Sequence, residues 1–536
     1  LNFLAGEALQ VRELALGVPA TLEVDDMAIG VRRYRLASPL PPGATTELAF
    51  DLEVAQRGFH NAGAYTDVVD NGSFVNGRSV LPILGYQDQG ELATDRDRRK
   101  FGLAPKERMR ARDDPEGRMR NGIASDADFV TFEAVVSTEE GQLAIAPGYL
   151  EREWTEGGRR HFAYRMDAPI LDFYAFQSGR YAVRRDRWND VAIEVWHHPG
   201  HEYNLDRMIA ATKDGLDYFT AAFGPYQHRQ FRIVEFPRYR TFAQSFPNTI
   251  PYSEGIGFIA RVRDDDPEDV DYPYYVTAHE LAHQWWAHQV IGADVQGETM
   301  LVESLAQYSA LMVMKKKYGE ARMQRFLRYE LERYLIGRST EQKKELPLAR
   351  VENQDYVHYR KGSLVMYALQ DYLGEATLNR AIRAFRDEWA FKGPPYPTTL
   401  DFLKHVRAVT PPPLQGTIDD LFESIVLWDN RAASATAKRL PDGRYEVAVD
   451  VVAKKRRADE LGRESDAPVD DWIDVGVLDD EGAPLALAKR RIDREASTHA
   501  FVVDRRPARA GIDPFNKLID RKPKDNTVAV TIEPSG

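Results

Sequence analysis

The sequence predicts a multidomain α+β protein: a β-rich N-terminal part, a mainly α middle and a C-terminal β-sandwich. With 536 residues the chain is far longer than a single hydrophobic core supports. Hydrophobic residues repeat with period two over residues 1–195, with period 3.6 over 196–432, and with period two again over 433–536. Those three stretches are taken as three domains.

In the first stretch, ATLEVDD, RRYRLAS, TELAFDLEVA, DFVTFEAVVS, RHFAYRMD and VAIEVWHH alternate or carry β-formers, with Pro, Gly, Asn and Asp between them. A charged segment, DRDRRKFGLAPKERMRARDDPEGRMR, interrupts them and reads as a solvated insertion. In the second stretch, NLDRMIAATKDGLDYFTAAFG, YPYYVTAHELAHQWWAHQVIG, LVESLAQYSALMVMKKKYG, ARMQRFLRYELERYLIG, YRKGSLVMYALQDYLG and TLNRAIRAFRDEWAF have helical apolar spacing. Several of them end at Gly, a common helix terminator. In the third, RYEVAVDVVAK, WIDVGVLDD, PLALAKRRI, THAFVVD and NTVAVTIEP read as strands of a small sandwich.

Composition narrows the function. A formal net charge of -12 argues against a nucleic-acid partner, which requires a basic footprint. Without cysteine, thiolate zinc sites and cysteine nucleophiles are excluded, so a metal must be held by His, Asp or Glu. No apolar run approaches the roughly 20 residues of a membrane helix. The chain starts at Leu1 without an initiator methionine, as a piece of a longer protein would.

The chemistry concentrates in TAHELAHQWW. On a helix, His279 and His283 project from one face and can share an ion, and Glu280 lies about 100° round, within reach of a metal-bound water. At this chain's own frequencies of 12 His and 83 acidic residues, the pattern arises by chance roughly 0.02 times per chain, so a metal site is favoured over a core helix. Glu303, an acid inside the apolar run MLVESLAQYSALMVM, is the candidate third ligand; a buried salt bridge is the alternative. Glu298 reads as a helix-start acid. His288 falls off the ligand face. His197, His198 and His201 in WHHPGH read as a turn after a strand, with a second metal site as the alternative.

Together HELAHQWW, VESLAQYSA and HYRKGSLVMYAL resemble the gluzincin zinc aminopeptidases, the family of membrane alanyl aminopeptidase and leukotriene hydrolase. The resemblance covers most of the chain. It implies a saddle-shaped N-terminal β-domain, a thermolysin-like, mainly α catalytic domain and a C-terminal β-sandwich. It also implies one Zn2+ per chain on His279, His283 and Glu303, with Glu280 as general base. Tyr359 in YRKG would hydrogen-bond the oxyanion, and the substrate would be a peptide.

Two departures stand out. The family leaves eighteen residues between the second histidine and the glutamate, whereas Gln284 to Val302 makes nineteen here, expected as an insertion in the connecting loop. The family's amine-binding glutamate aligns with Ser245 in FAQSFPNTIPYSE, leaving Gln244, Ser245 and Asn248 as candidate substrate-binding residues. An endopeptidase, or a peptide-binding sensor module with little turnover, is therefore retained beside the aminopeptidase. The first 85 residues, with YRLASPLPPGATTELAFDLEVAQRGF and VDNGSFVNGRSVLPILGYQ, look similar to a divergent bacterial branch. In that branch the peptidase-like region follows segments similar to transporter permeases. This implies a membrane-associated location as the soluble part of a bacterial membrane protein, with a soluble cytoplasmic protein as the alternative. Oligomeric state is not readable from the sequence.

Overall fold

The computed structural model describes the whole chain except residues 4–8, 56–66, 88–90, 93, 107, 125, 267–268 and 535–536. The C-terminal end of the TELAFDLEVAQRGF stretch lies outside the described residues. Elsewhere the N-terminal region is a set of small antiparallel sheets. One joins Glu133–Glu139, Arg159–Arg165 and Tyr149–Glu156, another Ser73–Asn76, Ala175–Gly179 and Leu143–Ile145.

A mixed sheet follows in the order Ala182–Trp188, Val191–His197, Gln230–Phe236, Thr249–Ser253, the last three strands parallel to one another. Val191–His197 bonds to a neighbour on either side, so the boundary expected at residue 195 falls inside a strand; the sheet starts at Ala182. Likewise Ile425–Arg439 is one continuous strand, and the boundary expected at 432 belongs before Ile425. Period two identifies a strand but not the sheet that receives it, so a boundary read from it can fall inside a strand.

Helices α1 (Leu205–Phe223), α2 (Tyr272–Ala282), α3 (Leu305–Tyr318), α4 (Met323–Thr340), α5 (Gly362–Leu373), α6 (Glu375–Trp389) and α7 (Thr399–Val409) form the helical region, with α1 packed directly on this sheet. Their shared core includes Phe219, Phe223, Trp285, Trp286, Tyr308 and Leu331. The segment HQWWAHQVIG, expected to continue the metal helix, does not: α2 stops at Ala282, and tight turns follow through Ala287, whose φ is 136°. The two tryptophans impose this, each turned inward to a partner, Trp285 Nε1 on Gly224 O at 3.0 Å and Trp286 Nε1 on Ser309 Oγ at 3.0 Å.

The C-terminal strands form two sheets. The order Glu464–Ala467, Tyr445–Ala458, Ile425–Arg439, Thr531–Ile532 faces Pro484–Ile492, Asp471–Leu478, Arg509–Ile512, Thr527–Ala529, and Ala496–Val503 pairs on Tyr445–Ala458. Val447, Val449, Val451, Val475, Val477 and Ile512 fill the space between them, so this region is the expected β-sandwich.

The charged segment expected as a solvated insertion is mostly exposed, and its second half also pairs with the helical region. Arg108 pairs with Glu352 at 2.8 Å, Arg112 with Glu423 at 2.8 Å and Arg118 with Asp401 at 3.0 Å. Its charges were legible in the sequence; their distant partners were not. No helix among the described residues is long and apolar enough to cross a membrane.

Candidate metal centre and active site

Helix α2 is buried along its length and starts firmly. Asp271 caps it, accepting from Tyr274 N at 3.2 Å, with Pro273 in the first turn where a missing N–H does no harm. Asp271 is itself held by Arg207 at 2.7 Å and by the Tyr318 hydroxyl at 2.6 Å. The last turn of α2 presents His279, and His283 follows at its C-cap.

His279 Nε2 and His283 Nε2 lie 3.0 Å apart, and each is 3.3 Å from Glu303 Oε2. A tetrahedral zinc with bonds of about 2.0–2.1 Å separates its ligands by about 3.3 Å, so the three atoms already stand at ligand spacing. His283 Nδ1 faces Trp286 O at 2.9 Å, which makes Nδ1 the protonated nitrogen and leaves Nε2 free for a metal. Glu303 Oε2 is buried and makes no hydrogen bond among the described residues. Two imidazoles and an orphaned carboxylate oxygen at this spacing suit zinc.

Electrostatics agree. The His283 and His279 rings hold the Glu303 carboxyl well below the carboxylate range, overcoming its burial. Burial lowers His279. For His283 burial acts the same way, but Glu303 and then Glu280 outweigh it and raise the ring to about 9, so a metal bound at Nε2 would displace a proton from it. Burial pushes Glu280 up to about 7; the His283 charge opposes that and Glu303 adds to it. A carboxyl poised there suits proton transfer near neutrality. Tyr359, 6.0 Å ring to ring from His279, is held above the usual phenol range by burial and by the Glu303 and Glu280 charges, so it stays a donor.

Glu303 and Tyr359 each sit in a π-turn, Met300–Ser304 and Tyr356–Lys361, opening α3 and α5. A π-turn holds one residue more than an α-turn. The ligand's own turn is therefore one place where an extra residue fits. The two turns lock together through Ser304 Oγ, which donates to His358 O at 2.6 Å. A Cβ on Gly362 would overlap Ser304 Oγ and stand 2.8 Å from Ser304 Cβ, so this close approach requires glycine. Gly362→Ala is expected to force the turns apart at about 1–3 kcal/mol, read as a lower urea midpoint together with reduced zinc retention.

The other candidates are placed as follows. Ser245 is 3% exposed; its Oγ donates to Glu280 O at 2.8 Å and accepts from Gln284 Nε2 at 2.8 Å. It therefore ties this hairpin to α2, with its hydroxyl engaged on both sides. Asn248 is wholly buried at φ 51°; it directs Nδ2 to Met166 Sδ at 3.4 Å and accepts from Thr249 Oγ1 at 3.0 Å. Gln244 is half-buried beside them, its N–H donating to Pro251 O at 3.1 Å. Glu298 stands at the start of the helix carrying Glu303, outside the ligand triangle, with burial and the Glu303 and Asp294 charges raising it to about 8. His288 Nε2 donates to Ser245 O at 3.1 Å, and burial lowers that ring to about 3. Gln284, wholly buried and bonded to Asn248 N, Ser245 Oγ and Phe246 O, was missed by sequence reasoning; its only signal is an amide inside an apolar run.

The fold and this site define the class: a thermolysin-like helical framework carrying a two-histidine, one-glutamate metal triangle. Comparisons agree. Residues 208–423 match the sequence profile described as Peptidase family M1 domain. Human endoplasmic reticulum aminopeptidase 2 is 22% identical over 209 residues, 38% of this chain and 22% of the relative. The crystal structure of Legionella pneumophila aminopeptidase A in complex with aspartic acid superposes with a TM-score of 0.58 at 14% identity, covering 99% of this chain and 55% of that one. The chain thus spans about a fifth of the curated relative and just over half of the solved structure. The likeness establishes the β-rich, helical and β-sandwich architecture from end to end.

Proposed function

We propose that this chain is a zinc-dependent metallopeptidase of the M1 type that hydrolyses peptide bonds. The triangle of His279 Nε2, His283 Nε2 and Glu303 Oε2, with edges of 3.0–3.3 Å, carries the reading. Zinc held there supplies a Lewis acid for the scissile carbonyl and a water of lowered pKa. Glu280 takes a proton from the attacking water and returns it to the leaving amine, a role its raised pKa suits. Tyr359, kept protonated, donates to the oxyanion as negative charge develops there.

Similarity to two aminopeptidases supports cleavage at free amine ends. An endopeptidase is the second reading, favoured by one observation: the Ser245 hydroxyl is tied to the Glu280 carbonyl, so this position offers a substrate amine no carboxylate. The resemblance of the first 85 residues supports placing the domain in a longer, membrane-linked protein.

A mixed peptide library with free and acetylated amine ends tests the reading. Zinc-loaded protein is expected to cleave it with preference for free ends. Equal cleavage of both pools would establish the endopeptidase, and no cleavage would overturn the proposal.

A further inference from the structure

The parallel strands Val191–His197, Gln230–Phe236 and Thr249–Ser253 end at one edge of the mixed sheet, and a second group of metal-ligating side chains meets there. His198 and His201 follow the first strand, Glu235 is the penultimate residue of the second, and Glu254 follows the third. One ligand atom from each lies within 4.8 Å of all the others. From these four residues we propose a second divalent-cation site, suited to zinc and separate from the catalytic triangle.

The contacts are those of an oriented donor set. His201 Nδ1 bonds Glu235 Oε1, His198 Nδ1 lies 3.5 Å from that same oxygen, and His201 Nδ1 is 4.0 Å from Glu254 Oε2. Both carboxylates are steered from behind. Glu235 Oε2 accepts from His198 N at 2.6 Å, and Glu254 Oε1 from Arg238 N at 3.3 Å, which turns each remaining oxygen toward the imidazoles. Outer contacts of this kind fix metal ligands in orientation. The His198 ring is held against Tyr181, centroids 5.3 Å apart and nearly parallel.

Charge points the same way. Glu235 is wholly buried and Glu254 mostly so, the side chain 16% exposed. Arg238 Nε stands 3.9 Å from the outer oxygen of Glu254, whereas a divalent ion would meet the Glu235 and Glu254 oxygens that face the imidazoles and accept two neutral rings as well. Burying an unpaired carboxylate is expensive. Two imidazole nitrogens favour zinc over calcium or magnesium, which take oxygen ligands. His201, with its side chain 29% exposed, also lines an open cleft of about 730 Å³ with Tyr203, Asn204, Arg207 and Arg261, which gives an ion a path in.

The sheet edge explains what such an ion would do. It would tie three strand ends and the start of α1 together at the opposite end of the Phe242–Ser253 hairpin from Ser245. The role is structural, with no part in hydrolysis.

The test counts metal. The full chain is stripped with chelator, reloaded with Zn2+ alone, desalted and measured by inductively coupled plasma mass spectrometry. The expected result is two zinc ions per wild-type chain. One is expected in the His279→Ala, His283→Ala double variant, whose second site is untouched. One is also expected in the His198→Ala, His201→Ala double variant, which should keep peptidase activity within about two-fold. Chelator should lower the melting temperature of the His279→Ala, His283→Ala protein. One zinc in the wild type, none in that variant, or no melting shift with chelator would overturn the second site. Loss of all zinc from the His198→Ala, His201→Ala protein would instead count against the catalytic triangle.

Discussion

Glu280→Gln is expected to lower kcat for peptide hydrolysis by about 10³-fold or more while leaving the zinc content unchanged. General-base catalysis contributes about 10²–10⁴, and here no second base replaces it. Glu303 is engaged by the two histidines, and Glu298 lies outside their triangle. The substitution is nearly isosteric and keeps an oxygen for the Ser245 N–H that faces this side chain. A fall in kcat with unaltered metal count and melting temperature would assign the loss to proton transfer. Full activity in the variant would remove Glu280 from the mechanism, and loss of zinc would show that its role is to hold the site together.

Tyr359→Phe carries the next largest effect. Removing one preorganised donor to an oxyanion costs about 10²–10³ in kcat, roughly 2.7–4 kcal/mol of transition-state stabilisation. KM should change little, because the hydroxyl donates to charge that develops only during reaction. A rise in KM at unchanged kcat would show that Tyr359 binds substrate instead. Wild-type kinetics would leave the oxyanion to zinc alone.

The grouping of His279, His283 and Glu303 was legible because its signals are local. The i, i+4 spacing of His279 and His283 on a helix, and an acid stranded in an apolar run at Glu303, are one-dimensional signals. The order of the three regions was legible for a similar reason, since the hydrophobic period records it directly. What stayed hidden depends on partners far along the chain. Ser245 reads as a missing carboxylate until Gln284 and the Glu280 carbonyl are seen beside it. The end of α2 at Ala282 is set by where Trp285 and Trp286 find partners, and helical periodicity runs on past it. The π-turns have no hydrophobic period that marks them in the sequence.

The strand Val191–His197 bears on how the protein can be divided. A fragment beginning at residue 196 would lack the strand that covers Gln230–Phe236, baring the backbone edge beside Phe231, Ile233 and Val234. An exposed apolar edge of that kind recruits other chains. The smallest portable catalytic module therefore begins before Ala182, carrying with it a hairpin that the hydrophobic pattern assigns to its neighbour. For recombination between homologues, or for grafting this centre onto another scaffold, the seam lies upstream of that hairpin.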